Sequence, residues 1–196
     1  MSTENLQLSC DDALILVDVQ NDFLPEGALA VPDGDAIVPV LNSYIERFEA
    51  KALPVFASRD WHPGNHCSFT AQGGTWPRHC VAGTAGAQFA IELELPENTI
   101  IISKATQPDN DAYSAFEGTE LHSLLQRRGL KRLFIGGLAT DYCVLNTVTD
   151  ALKLGYDVVL LSDAVAAVNL HAADGAKAEK KMHNAGARLI TKNQLQ

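Results

Sequence analysis

Apolar positions along the chain fall into short unbroken runs separated by stretches with helical spacing. Ala13-Leu-Ile-Leu-Val17 is one such run, and its lack of alternation suits a strand covered on both faces. It ends in Asp18 and opens into a polar loop from Val19 to Gly27. A helix is predicted from Asp33 or Asp35 to about Ala50, because Ile37, Leu41, Tyr44, Ile45 and Phe48 recur on one side. Pro54 to Ser58 reads as a second strand, running out in Arg59 and Asp60, and Thr99 to Ser103 as a third that stops at Lys104. A helix over about Gly118 to Arg128 follows. Leu133 to Ile135 is a fourth strand, Gly136 and Gly137 make a tight turn, and Thr140 or Asp141 can cap a helix. Beyond Cys143, helical spacing continues through Val144, Val148, Ala151 and Leu152. Val158 to Leu161 is a fifth strand ending at Ser162 and Asp163, a helix runs from about His171 to Asn184, and Ala187 to Ile190 closes the series.

Strands alternating with helices predict an α/β fold: one doubly wound, Rossmann-like domain over residues 1–196, with about six parallel strands, helices on both faces and right-handed crossovers. The exception is residues 61 to 96, with three histidines, two tryptophans and little periodicity. A non-periodic connection of that length is usually functional or disordered, and its aromatic and histidine content favours an ordered insertion at about 60–98. In such a sheet the ligand crevice lies beyond the carboxyl ends of the strands, where strand order reverses. Asp18, Asp60, Lys104 and the turn before Cys143 all stand at those ends.

Composition narrows the classes. An apolar fraction of 46% with 20% charged residues is that of an ordinary globular protein. A net charge of -9 argues against nucleic acid and anionic membrane as partners, since both need concentrated positive charge. No apolar run approaches the length that spans a bilayer, and Met1-Ser-Thr-Glu-Asn lacks the features of a secretory signal, so the expected location is the cytosol. Four cysteines without C-x-x-C spacing then argue against disulfides.

The strand ends carry the candidate chemistry. A thiol in a helix's first turn faces free N-H groups and the positive end of the dipole, so the pKa of Cys143 is expected to fall. Asp18 can accept its proton and later pass it to a leaving amine, and Lys104 can favour the thiolate and hold Asp18. Backbone N-H groups of Ala139 and Cys143 are the candidate oxyanion donors. Asp60 and His62, two apart, can grip one ion, with His79 as third ligand and His66 as a further candidate; such a set leaves room for water or substrate. Phe23 and Trp76 flank these centres and can sandwich a flat ring. Each residue also has a plainer reading: a buried cysteine, loop histidines bonded to backbone, aromatics in the core.

Taken in order, Asp18-Val-Gln-Asn-Asp-Phe23, Arg59-Asp-Trp-His-Pro63, Trp76-Pro-Arg-His-Cys80, Lys104-Ala105, Asp111 to Gly118 and Gly137-Leu-Ala-Thr-Asp-Tyr-Cys143 resemble the nicotinamidases among the isochorismatase-like cysteine hydrolases. The resemblance runs from about residue 12 to residue 190. It implies hydrolysis of nicotinamide, and of pyrazinamide, to the carboxylate and ammonia. It also implies a triad of Asp18, Lys104 and Cys143 and a divalent metal, zinc or iron, on Asp60, His62 and His79. The pyridine nitrogen would meet that metal, with the ring between Phe23 and Trp76 and Tyr113 nearby. A non-proline cis peptide is implied between Leu138 and Ala139. Leu138 stands where the family usually has valine, and His66 aligns with a position that ligates metal in some members only. Ala28 to Val31 and the insertion either cover the pocket or meet a neighbouring subunit in a homo-oligomer. The rival readings are a related amidase for carbamoyl or ureido compounds, which would not need the metal set, a nicotinamide-binding protein without turnover, and a Cys-His hydrolase using His62 or His79 as base.

Overall fold

The computed structural model describes residues 5–196; the first four residues, part of the segment read as lacking a secretory signal, lie outside the described residues. One six-stranded sheet runs in the order β3-β2-β1-β4-β5-β6, with every pairing parallel. Its strands are β1 (Asp12–Val17), β2 (Val55–Asp60), β3 (Ile100–Lys104), β4 (Arg132–Leu138), β5 (Asp157–Ala166) and β6 (Arg188–Ile190). The helices are α1 (Val38–Ala50), α2 (Leu121–Arg127), α3 (Leu145–Lys153) and α4 (Asp174–Asn184). Among the described residues, no helix is long and apolar enough to cross a membrane.

The predicted periodicities correspond to two cores. Leu14 and Leu16 of β1 pack with Leu41, Tyr44 and Phe48 of α1 on one face. Ala13, Ile15 and Val17 point the other way, into a layer with Leu121 and Leu125 of α2, Val148 of α3 and Met182 of α4. Burial on both faces is why β1 shows no alternation. Strand order reverses between β1 and β4, so the crevice expected for a doubly wound sheet opens between Asp18 and the end of β4.

Four elements differ from their sequence pattern here. β4 continues through Gly136 and Gly137 in register with Leu16 and Val17 instead of turning there. β5 runs on through Ser162 and Asp163 to Ala166, because Ser162 Oγ donates to the Ile190 carbonyl at 2.9 Å and Asp163 accepts from Tyr44 Oη at 2.8 Å. The helices predicted from residues 118 and 171 begin later, at Leu121 and Asp174.

Gly137 shows what this close pairing demands. Its φ is +126°, and a Cβ there would lie 2.1 Å from the Val17 carbonyl oxygen. Gly137→Ala is expected to cost about 3 kcal/mol or more, since the neighbour is backbone and cannot swing away. Urea denaturation measures this; a loss below about 1 kcal/mol would mean that the two strands separate easily.

Candidate active site

The strand ends converge as the register requires. Asp60 and Lys104 are partners across β2 and β3, and Val17, just before Asp18, pairs with both Ser58 and Gly137. Lys104 is 1% exposed. Its Nζ lies 3.0 Å from Asp18 Oδ2 and 3.6 Å from Cys143 Sγ, and donates to the Ala112 carbonyl at 3.1 Å. It also donates to Asp60 Oδ1, a contact that strand-end reasoning did not foresee. One buried ammonium therefore joins the thiol, the candidate base and a candidate metal ligand.

Asp18 Oδ1 accepts from Ser58 Oγ at 2.7 Å, whereas Oδ2, apart from its ion pair with Lys104, has no geometrically sound hydrogen bond. A carboxylate oxygen each of Asp18 and Asp60 lies within 4.8 Å of Cys143 Sγ. These three residues have the composition of an ion site, but the Lys104 ammonium already contacts all of them. Asp18 is left as a buried acceptor within reach of the thiol.

Burial pushes the Asp18 carboxyl above the usual carboxylate range, outweighing the pull of Lys104, and the charge of Asp60 adds to the effect. For Asp60, burial acts in the same direction but is overcome by Lys104 and His62, which hold it well below that range. Burial also opposes the Lys104 ammonium, yet Asp18 and Asp60 keep it firmly charged.

Cys143 departs from expectation. Its thiol is pushed well up, first by burial, against the pull of Lys104 and with Asp18 and Asp60 adding to the rise. The predicted lowering assumed an α-helical first turn; Thr140–Val144 is instead a π-helical turn, and α3 starts only at Leu145. Neither Thr140 nor Asp141 caps it. The Asp141 carboxylate instead accepts from the Val168 and Asn169 amides at 3.0 and 2.8 Å. The resting thiol is therefore protonated, and a base must act at the moment of attack.

The second constellation fits a metal. Ligand atoms of Asp60, His62 and His79, all buried, lie within 4.8 Å of one another. His62 Nδ1 is 3.2 Å from the Ala105 carbonyl and His79 Nδ1 is 2.8 Å from that of Pro77. Those contacts turn each Nε2 toward the cluster, His62 Nε2 lying 3.7 Å from Asp60 Oδ2, the outer-shell arrangement that orients ligating imidazoles. Two imidazoles and one carboxylate suit a divalent ion with open positions. His66 is placed differently: its ring stacks on His62 at 4.1 Å, while Nδ1 meets Ser68 Oγ at 2.7 Å and Nε2 the Asn110 carbonyl at 3.2 Å. With both nitrogens engaged, it stands outside the grouped ligand atoms.

One pocket brings these centres together. Asp60, His62 and His79 line it with Cys143 and Ala139, and Phe23, Trp76 and Tyr113 form its aromatic wall. Leu29 and Val31 line it too, so both the 28–31 segment and the insertion contribute to its walls. Trp76 Nε1 donates to Tyr113 Oη at 2.9 Å, and Tyr142 lies 5.1 Å from the Trp76 ring and 5.7 Å from Tyr113. Tyr142 was missed as a lining residue, although it sits inside the Thr-Asp-Tyr-Cys motif beside the thiol. The Leu138–Ala139 peptide is cis, as the family resemblance implied.

Residues 12–194 match the isochorismatase domain family. The chain is 42% identical to the nicotinamidase of Escherichia coli K12, covering 91% of this chain and 94% of that one. Pyrazinamidase of Pyrococcus horikoshii in complex with zinc superposes with a TM-score of 0.89 at 50% identity, over 92% of this chain and 99% of that one. PnC1 from L. infantum in complex with nicotinate gives 0.90 at 37% identity, over 98% of both chains.

Proposed function

Given that this chain belongs to the isochorismatase family, we propose that it is a metal-dependent amidohydrolase that converts nicotinamide, and also pyrazinamide, to the carboxylate and ammonia. The observation that carries the reading is the position of Lys104 Nζ, 3.0 Å from Asp18 Oδ2 and 3.6 Å from Cys143 Sγ beside an Asp-His-His set. In this reading residues 1–196 act as one hydrolase domain whose insertion at about 60–98 carries the metal ligands His62 and His79. The E. coli relative is a nicotinamidase and the P. horikoshii relative was solved with zinc. Both support the substrate assignment and zinc as the first metal to test, with iron second.

Asp18 takes the thiol proton as Cys143 sulfur attacks the carboxamide carbon. Its raised affinity for protons suits that task and the next, delivery of the proton to departing ammonia. Backbone N-H groups of Ala139 and Cys143 meet the oxyanion. Lys104 stays charged throughout, steadying Asp18 and the developing thiolate. A water that Asp18 deprotonates then attacks the thioester carbon, the carbon–sulfur bond breaks, Asp18 returns the proton to the Cys143 sulfur, and the carboxylic acid product leaves. Asp60, His62 and His79 would hold the ion, which when bound supplies a Lewis-acidic seat for the ring nitrogen. Phe23, Trp76 and Tyr113 orient the ring, which keeps the carboxamide facing sulfur. His66, by its hydrogen bonds, supports His62 by stacking and is no ligand. Such a reaction returns the pyridine ring to NAD synthesis, and we place it in the cytoplasm.

The test is ammonia release from nicotinamide by purified protein before and after chelation. Turnover is expected to fall at least about 100-fold on metal removal and to return with zinc or iron. Equal turnover in the stripped protein would remove the metal from the reading and favour the carbamoyl-amidase class.

A further inference from the structure

The loop after β1 does more than deliver Asp18. Gln20, 0% exposed, turns its side-chain amide onto the Asp60 peptide. Its Oε1 accepts from the Asp60 backbone N-H at 2.8 Å, and its Nε2 donates to the Asp60 carbonyl at 2.8 Å and to the Ala87 carbonyl at 2.9 Å. Both amide hydrogens and the oxygen are thus engaged, and the opposite amide orientation would set N-H against N-H and oxygen against two carbonyls. Two residues on, Asp22 Oδ2 accepts from the backbone N-H of Cys80, the neighbour of His79, at 2.7 Å. Its Oδ1 accepts from Ala28, the neighbour of the pocket residue Leu29, at 3.3 Å. The backbone of this loop is zipped to the insertion: Asn21 donates to Gln88 and Asp22 to Gly86, each at 2.9 Å. Gly86 permits that approach, since a Cβ there would lie 2.2 Å from the Asp22 carboxylate.

Alternate residues of one segment therefore reach three parts of the site: Asp18 the thiol, Gln20 the peptide of Asp60, Asp22 the peptide that follows His79. We infer that Gln20 and Asp22 are positioning residues for the metal centre, gripping the backbone of two ligands contributed by separate segments, β2 and the insertion. Neither side chain belongs to the grouped ligand atoms, and neither contacts the reacting atoms in the mechanism above. Their effect is to hold Asp60 and His79 at the spacing one ion needs. His62 has its own anchor in the Ala105 carbonyl, so these contacts account for the whole ligand set. The inference rests on the reading of Asp60, His62 and His79 as metal ligands.

The experiment uses zinc-loaded, full-length wild type, Gln20→Met and Asp22→Asn. It follows zinc transfer to a chromophoric chelator, together with turnover at limiting and saturating zinc. Each variant is expected to release zinc about 10- to 100-fold faster than wild type and to recover turnover when zinc is saturating. Release within about fivefold of wild type, with any defect confined to the urea midpoint, would reduce both residues to packing and overturn the inference. Activity lost even at saturating zinc would overturn it as well. If Gln20→Met does not fold, Asp22→Asn decides alone, because Asp22 is only partly buried. A wild type that takes up no zinc or iron would instead sink the ligand assignment, so the two failures are distinguishable.

Discussion

Cys143→Ala is expected to lower nicotinamide turnover by about 10,000-fold or more while leaving the fold and metal binding intact. The expectation follows from the division of labour at the site. In the proposed mechanism the sulfur forms the covalent bond, so its loss removes a step and not a supporting contact. The proposed metal ligands Asp60, His62 and His79 do not include it, and the exchange deletes one buried atom beside Lys104 without stranding a charge. Initial rates of ammonia release at saturating zinc measure the effect. Turnover within about tenfold of wild type would transfer the nucleophile's role to another group, a metal-activated water being the nearest candidate.

Lys104→Met is expected to have the largest effect on stability. The ammonium is buried between Asp18 and Asp60 and contacts both. Removing it leaves two buried carboxylates facing one another without the ammonium they share, Asp60 keeping only its contact with His62 in the metal-free protein; breaking a buried pair in this way costs about 3–5 kcal/mol. The pH dependence has a definite sign. Without Lys104, burial and mutual repulsion raise both folded-state pKa values above the unfolded value of about 4. Protonation then favours the folded state, so the penalty is full at neutral pH and shrinks as pH falls through the raised values toward about 4. Urea midpoints of the chelated variant and wild type at neutral and mildly acidic pH measure it. A deficit that is small, or that grows on acidification, would mean that the carboxylates are solvated or paired elsewhere.

Much of the sheet was legible because its core strands are covered on both faces: the unbroken run of β1 and the one-sided pattern of α1 are direct images of the two packing layers. Strand ends were legible for the same reason, since the apolar run stops where the chain leaves the core, and this is where Asp18, Asp60 and Lys104 appeared. Glycine and polar residues inside strands were not. Gly137 looks like a turn locally, but its smallness serves the approach of Val17 from a strand more than a hundred residues away. Ser162 and Asp163 look like an exit from the sheet until their distant partners, Ile190 and Tyr44, are known.

At the site, residue types were readable and their couplings were not. The tie from Lys104 to Asp60 depends on the register of β2 with β3. The grip of Gln20 on Asp60 spans forty residues and has no local pattern. The direction of the Cys143 shift depends on how deeply the thiol is buried and on the two carboxylates near it; the motif shows neither. The partners of both His66 nitrogens, Ser68 and the distant Asn110 carbonyl, have no local signature either.

In the proposed mechanism Cys143, with its proton taken by Asp18 beside Lys104, carries the acyl group. The direct measurement mixes zinc-loaded protein with ring-labelled nicotinamide, quenches with acid during the first turnovers and maps the label by peptide mass spectrometry. A hydroxylamine-sensitive nicotinoyl adduct on the peptide containing Cys143 is the predicted result. Product formation with the label on another residue, or with none on the protein, would contradict it.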